Sequence, residues 1–287
     1  MTGPKEKSSV PALCGCLAKQ RLACGPGAIH RAGSQGLYLR FSDLVLLCDR
    51  RFGQIPFGIY VADYGLLFDS PKPQVGSPVV FDGKHLVFPW GLSLTIEEKS
   101  LPSCCAIPCG WEHHARRALQ QSGKGAVCSL ALGGEKSLWA RQAEGPVHGL
   151  MHAIRAEDGT ALFRCLEHLI GLGPGLTPSM DDWLLGLLYY WEHNRVKMFE
   201  GSLYLLRQGL RKLSPGRTTD ISAAFLTAAA EGYAFEILDR ALAGNFAADT
   251  DGILCVGSSS GADILTGMVC AAELLNISSG AEPPLNI

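Results

Sequence analysis

The sequence predicts an α+β protein: a β-rich N-terminal half, an antiparallel sheet or small barrel, followed by a mostly helical C-terminal half. Three observations carry that expectation. Over about the first hundred residues the apolar positions come in short strand-sized runs punctuated by turn residues. From about Val147 onward the apolar spacing changes to the helical period. The chain has 287 residues, 47% of them apolar and 18% charged, which is ample material for one large core or two modest ones. The change of pattern sets a boundary near residue 140, giving a β-rich domain over 1–140 and a helical domain over 141–287.

The predicted strands run in order over 37–41, 44–48, 59–62, 66–68, 79–81, 86–88 and 92–96. Turn signals separate them at Phe52-Gly53, Asp63-Tyr64-Gly65, Asp69–Pro73 and Asp82-Gly83. Asp82-Gly83, set between two Val- and Phe-bearing runs, is the strongest hairpin signal. A loop rich in Pro and Cys, Pro102–Gly110, breaks the pattern; a helix follows over Trp111–Gln121 and one more strand over Ala126–Leu132. Helices are then expected over 148–170, 180–194, 198–213, 218–243 and 261–276.

Composition excludes several classes of function. Lys plus Arg is 25 and Asp plus Glu 27, so there is no basic footprint for nucleic acid. The densest apolar run, Trp183–Trp191, is too short to cross a bilayer, and the polar start has no secretory signal pattern. Eleven cysteines without a framework of close pairs read as reduced thiols of a cytoplasmic protein.

The most informative stretch is Gly171-Leu-Gly-Pro-Gly-Leu-Thr-Pro-Ser-Met-Asp-Asp-Trp-Leu-Leu-Gly186. Gly171, Gly173 and Gly175 permit unusual backbone angles and let a ligand approach the main chain. Thr177-Pro178 reads as a helix start, and Ser179 with Asp182 as a second cap. Without a Gly-Lys-Ser/Thr sequence it is not a nucleotide P-loop, and without a preceding strand it is not a dinucleotide fingerprint. Asp181 and Asp182 in the first turn would repel a bare phosphate. They suit a neutral ureido or amide group, or a divalent cation such as Mg²⁺ or Mn²⁺ bridging carboxylate and anion. The pattern Ser-x-x-Asp-x-Leu-x-Gly returns: Ser179, Asp182, Leu184 and Gly186 match Ser260, Asp263, Leu265 and Gly267, with Gly261 after the second serine. Both segments open apolar helices, whose buried starts can meet at one pocket.

Other candidates read more plainly. His148 and His152, at i and i+4, lack a zincin glutamate and read as ordinary helix histidines. Cys14-Gly-Cys16 with Cys24, and Cys104-Cys105 with Cys109, lack the paired spacing of a structural zinc site. Thr218, Thr219, Asp220 and Ser222 read as a helix cap, and Arg217 beside them can offer a positive charge to a substrate carboxylate. His30 and Arg31 are candidates of the same kind.

Gly-x-Gly-x-Gly-Leu-Thr-Pro-Ser-x-Asp-Asp before an apolar helix resembles the core motif of the AllH family, named after a subunit of oxamate carbamoyltransferase. The resemblance extends to Thr219-x-Ile221-Ser222 and to Ser259-Ser260-Gly261-x-Asp263 with Gly267. Met180 departs from it, standing where the family motif has glycine. The resemblance implies carbamoyl transfer between a small ureido acid of the oxalurate/oxamate class and phosphate, in a complex with other protein subunits. It implies further that Asp181, Asp182 and Asp263 are catalytic, and that Gly173, Gly175, Thr177, Ser179, Arg217, Ser260 and Gly261 bind substrate. Free amides from Gly173 to Ser179 would meet the carbamoyl oxyanion. Two alternatives remain open: a non-catalytic ligand-binding or assembly subunit, and a stand-alone metal-dependent amide or ureide hydrolase.

Overall fold

In the computed structural model the described residues are 9–22, 26–33, 36–49, 53–63, 65, 73–98, 107–108, 110–194, 199–243 and 252–278. The strand predicted at 66–68, the turn at Asp69–Pro73 but for its last residue, and Cys24, Cys104, Cys105 and Cys109 lie outside them. The chain divides into two compact units, Met1–Ser103 with Ala234–Ile237, and Cys104–Tyr233 with Leu238–Ile287.

The first unit is a closed eight-stranded barrel, so of the two β architectures expected the barrel is the one adopted. Its strands are β1 (Val10–Cys14), β2 (Gly27–Ala32), β3 (Gly36–Arg40), β4 (Leu44–Asp49), β5 (Gly58–Val61), β6 (Pro78–Phe81), β7 (His85–Val87) and β8 (Ser93–Glu98), with α1 (Cys16–Leu22) after β1. They close in the order β1-β5-β4-β3-β2-β6-β7-β8. Two pairings, β4–β5 and β1–β8, are parallel; the rest are antiparallel. Leu37 and Leu39, Val45 and Leu47, and Ile59 and Val61 alternate into one buried cluster, as a period of two requires. The hairpin at Asp82-Gly83 is present: Phe81 pairs with Leu86, and Gly83 has φ +99°. The Asp82 carboxylate accepts from the amides of Lys84 (2.9 Å) and His85 (2.6 Å), which hold its pKa down at about 2. Strands β1 and β2 and helix α1 went unpredicted; β1 and α1 are short and adjoin the Cys14-Gly15-Cys16 turn.

The second unit is helical: α2 (Trp111–Ser122), α3 (Ser129–Leu132), α4 (Leu138–Arg155), α5 (Gly159–Leu169), α6 (Ser179–Asn194), α7 (Glu200–Arg217), α8 (Asp220–Ala230), α9 (Glu236–Ala243, whose first two residues belong to the first unit) and α10 (Ser260–Ser278). The strand expected at Ala126–Leu132 is instead the short helix α3. Leu132 N donates to Cys128 O at 3.0 Å, and the Val127 amide a strand would use goes to a side chain. A run this short has no period to distinguish the two conformations. The helix expected over 148–170 begins earlier, where Ser137 caps α4, and breaks after Arg155, where Asp158 caps α5. The helix expected over 218–243 is interrupted by Gly232 at φ +81°. Among the described residues no helix is long and apolar enough to cross a membrane.

α6 is buried on all sides from Ser179 to Trp191, and its partner is α10. The repeat explains how they approach so closely. A side chain on Gly186 would lie 1.9 Å from Ile264 O, and one on Gly267 would lie 2.0 Å from Trp183 O. The final glycine of each Ser-x-x-Asp-x-Leu-x-Gly segment is thus the place where the other helix's backbone passes. The crossing is reciprocal.

Candidate functional site

The reciprocal crossing brings the two helix starts side by side. The loop before α6 folds back at Gly173 (φ +119°), and Met180 N donates to Leu172 O at 3.0 Å. The amides of Asp181 and Asp182 both bond Pro178 O, at 2.9 and 3.1 Å. Neither hydroxyl expected to cap this helix does so. Thr177 Oγ1 instead donates to Asp182 Oδ2 at 3.0 Å and lies 2.9 Å from Ser260 Oγ at the start of α10. Ser260 lies near enough to Asp182 to favour its ionised form. The mirror relation is looser. Ser179 of α6 lies beside Asp263 of α10, near enough to favour its ionised form, but Ser179 Oγ and Asp263 Oδ2 are both buried outside hydrogen-bond geometry. Each helix's first serine therefore faces the other helix's aspartate.

The three acids differ in what holds them. Asp181 is 1% exposed and saturated: Oδ1 accepts from Gly171 N at 2.8 Å, and Oδ2 from Ser222 Oγ at 2.6 Å and from the Thr218 hydroxyl. Its burial raises the pKa against the pull of those donors. Asp263, fully buried, takes the Val127 amide on Oδ1 at 3.0 Å, and burial raises its pKa too. Asp182 is pushed furthest, well above the ordinary carboxylate value. Burial is the main cause and the neighbouring Asp263 adds repulsion, while Ser260 and Thr177 pull the other way. No cation pairs with any of the three among the described residues. A neutral Asp182 acts as a hydrogen-bond donor as well as an acceptor, which removes much of the repulsion toward an anion that the bare sequence implied.

In front of this cluster the amides of Gly173, Gly175, Leu176 and Thr177 make no hydrogen bond among the described residues. A side chain at Gly173 would lie 2.6 Å from Ser179 N and cover it. Glycine there keeps that helix-start amide open. Gly261 serves packing instead: its amide bonds Val256 O at 3.0 Å, and a side chain would strike Ile253 O. Arg217 is drawn away, with its guanidinium on Glu167 at 3.0 Å (backbone O) and 3.1 Å (carboxylate), while its own carbonyl packs against Gly171. Both oxygens of Asp181 are engaged, and the described residues contain no group of three or more metal-ligating side chains. His148 and His152 are exposed on α4, and His30 and Arg31 lie on β2. Cys14 is a buried free thiol and Cys16 an exposed one.

Two contributions escaped the sequence. Thr218 and Ser222, read as capping residues, anchor Asp181; Thr219 alone is the cap, accepting from Ser222 N at 3.1 Å. The Gly125–Val127 turn, of which Ala126 and Val127 were read as strand, holds Asp263. The hydroxyl-rich run Thr218–Ser222 was the available signal for the first; the second carries none.

Fold and site together define a class: a helical unit whose paired, glycine-crossed helix starts present hydroxyls and open amides in front of protonatable buried acids. Residues 169–272, which span both helix starts, match the family model described as oxamate carbamoyltransferase subunit AllH. The resemblance seen in the motif is thereby borne out over that segment. No solved structure matches the chain.

Proposed function

We propose that the chain is an AllH-like subunit of a carbamoyltransferase-type complex acting on a small ureido acid of the oxalurate/oxamate class with phosphate as co-substrate. The observation that carries this reading is the Asp182–Thr177–Ser260 chain, which joins both helix starts inside the matched segment. In the reaction a phosphate oxygen forms a bond to the ureido carbon, the carbon–nitrogen bond to the oxamate nitrogen breaks, and that nitrogen takes a proton. The open amides at Gly173–Thr177 receive the developing oxyanion. Thr177 and Ser260 touch the ligand, and Asp182 behind them holds the proton to be moved. Asp263 keeps the second helix start in place through Val127, and Asp181 does the same for the loop through Gly171.

The test is reconstitution with the partner subunits, following carbamoyl phosphate formed from oxalurate and phosphate. Asp182→Asn and Ser260→Ala are expected to lower turnover by about a hundredfold or more while circular dichroism stays that of the wild type. Full activity in both variants removes the site assignment. Co-purification with the partner subunits but turnover indifferent to either substitution favours a ligand-binding or assembly role. Activity of the isolated chain that depends on added Mg²⁺ or Mn²⁺ favours the hydrolase.

A further inference from the structure

The helical unit carries an open cleft of about 540 Å³ lined by α3, the turn at Gly133-Gly134, one face of α4 and the C-terminal half of α10. Its lining is mostly apolar and includes Leu130, Val147 and Met151. Two acids reach the cleft and both are already neutralised: Glu144 pairs with Lys136, and Glu273 with Arg116. What remains is a row of donors on α4. His148, His152 and Arg155 stand at i, i+4 and i+7, so one helix face presents all three to the cleft. His152 and Arg155 have no ion pair or hydrogen bond among the described residues, and His148 faces Glu144 only through space. The last turn of a helix favours cations, and Arg155 stands there with His152 beside it, the side-chain donors of both unused. An apolar lining beside the Arg155 guanidinium and two imidazoles with N–H donors to spare fits a ligand with an apolar body and a single anionic head.

We propose that this cleft is a second ligand site, separate from the paired helix starts, for a small organic anion whose carboxylate or phosphate head is held by His148, His152 and Arg155. The body lies over Leu130 and Met151. The proposal does not rest on the carbamoyltransferase reading. Calorimetric titration of the full chain with benzoate and with phenyl phosphate tests it, with benzyl alcohol as the uncharged control. At least one of the two anions is expected to bind roughly tenfold or more tightly than the alcohol, and the tighter of the two identifies the head group. Arg155→Gln, and separately the exposed pair His148→Gln with His152→Gln, should each weaken that binding by roughly tenfold, while Asp182→Asn leaves it unchanged. Binding of neither anion overturns the proposal. So does binding indifferent to both sets of α4 variants, or binding abolished by Asp182→Asn.

Discussion

The starts of α6 and α10 are written in the same pattern yet hold their acids differently. At α6, Asp182 accepts from the Thr177 hydroxyl, which is itself in hydrogen-bond contact with Ser260 of α10. At α10, Asp263 is met by a backbone amide, its second oxygen buried without a partner beside Ser179. Hydroxyls can accept, donate and rotate, whereas a backbone amide only donates. Equal sequence thus holds its two acids by different groups, and the difference is made by the segments that pack against each one.

The largest effect should come from the element the two copies share. Gly186→Val and Gly267→Val each drive a side chain into the other helix's backbone, and each should destabilise by about 3 kcal/mol or more in urea denaturation. A tolerated valine at either position breaks the symmetry of the crossing. Next, Asp181→Ala strands three donors, Gly171 N and the Thr218 and Ser222 hydroxyls, and should lower stability by about 3 kcal/mol by the same measurement.

The pH dependence sharpens the contrast further. Burial raises Asp182 above its ordinary 3.8, so from that value up through the folded one the native state retains a proton that the unfolded chain has released. The stability this group contributes is therefore full in acid and is lost as pH rises through the raised value. Relative to Asp182→Asn, the wild type should lose stability as pH rises from about 4 toward neutrality, read from paired denaturation curves. A constant difference between the two would place the Asp182 pKa near its ordinary value. The smallest effect belongs to Asp263→Asn. The new amide keeps the Val127 bond and gives Ser179 Oγ a partner, so stability should stay within about 1 kcal/mol of the wild type.

The sequence made the β-to-α order legible because strand-length runs and helical spacing are local properties. Asp82-Gly83 located its hairpin for the same reason, the Asp82 side chain bonding amides two and three residues away. Barrel closure was less legible, since the parallel β1–β8 contact joins the two ends of the unit. At the candidate site the repeated serines, aspartates and glycines identified the helix starts, whose meeting the Thr177–Ser260 contact records. Thr177 was misread as a cap because the Leu172 carbonyl that takes the Met180 amide is delivered by the fold of the loop. The Glu167 partner of Arg217 was not legible because it lies on another helix. Such partners carry no signature near the residue they serve.

The glycine crossing also bears on how the molecule is made. It joins two helices that are separated along the chain by α7, α8 and α9, so both ends of a long excursion must return before either glycine finds its neighbour. Contacts of that range form after the entropy of closing the intervening segment has been met. A refolding chain will therefore regain helical signal early and acquire the Thr177–Ser260 contact late, and a truncated chain ending before α10 will keep the partners of Asp181 but lose Asp263 and the Ser260 hydroxyl that meets Thr177.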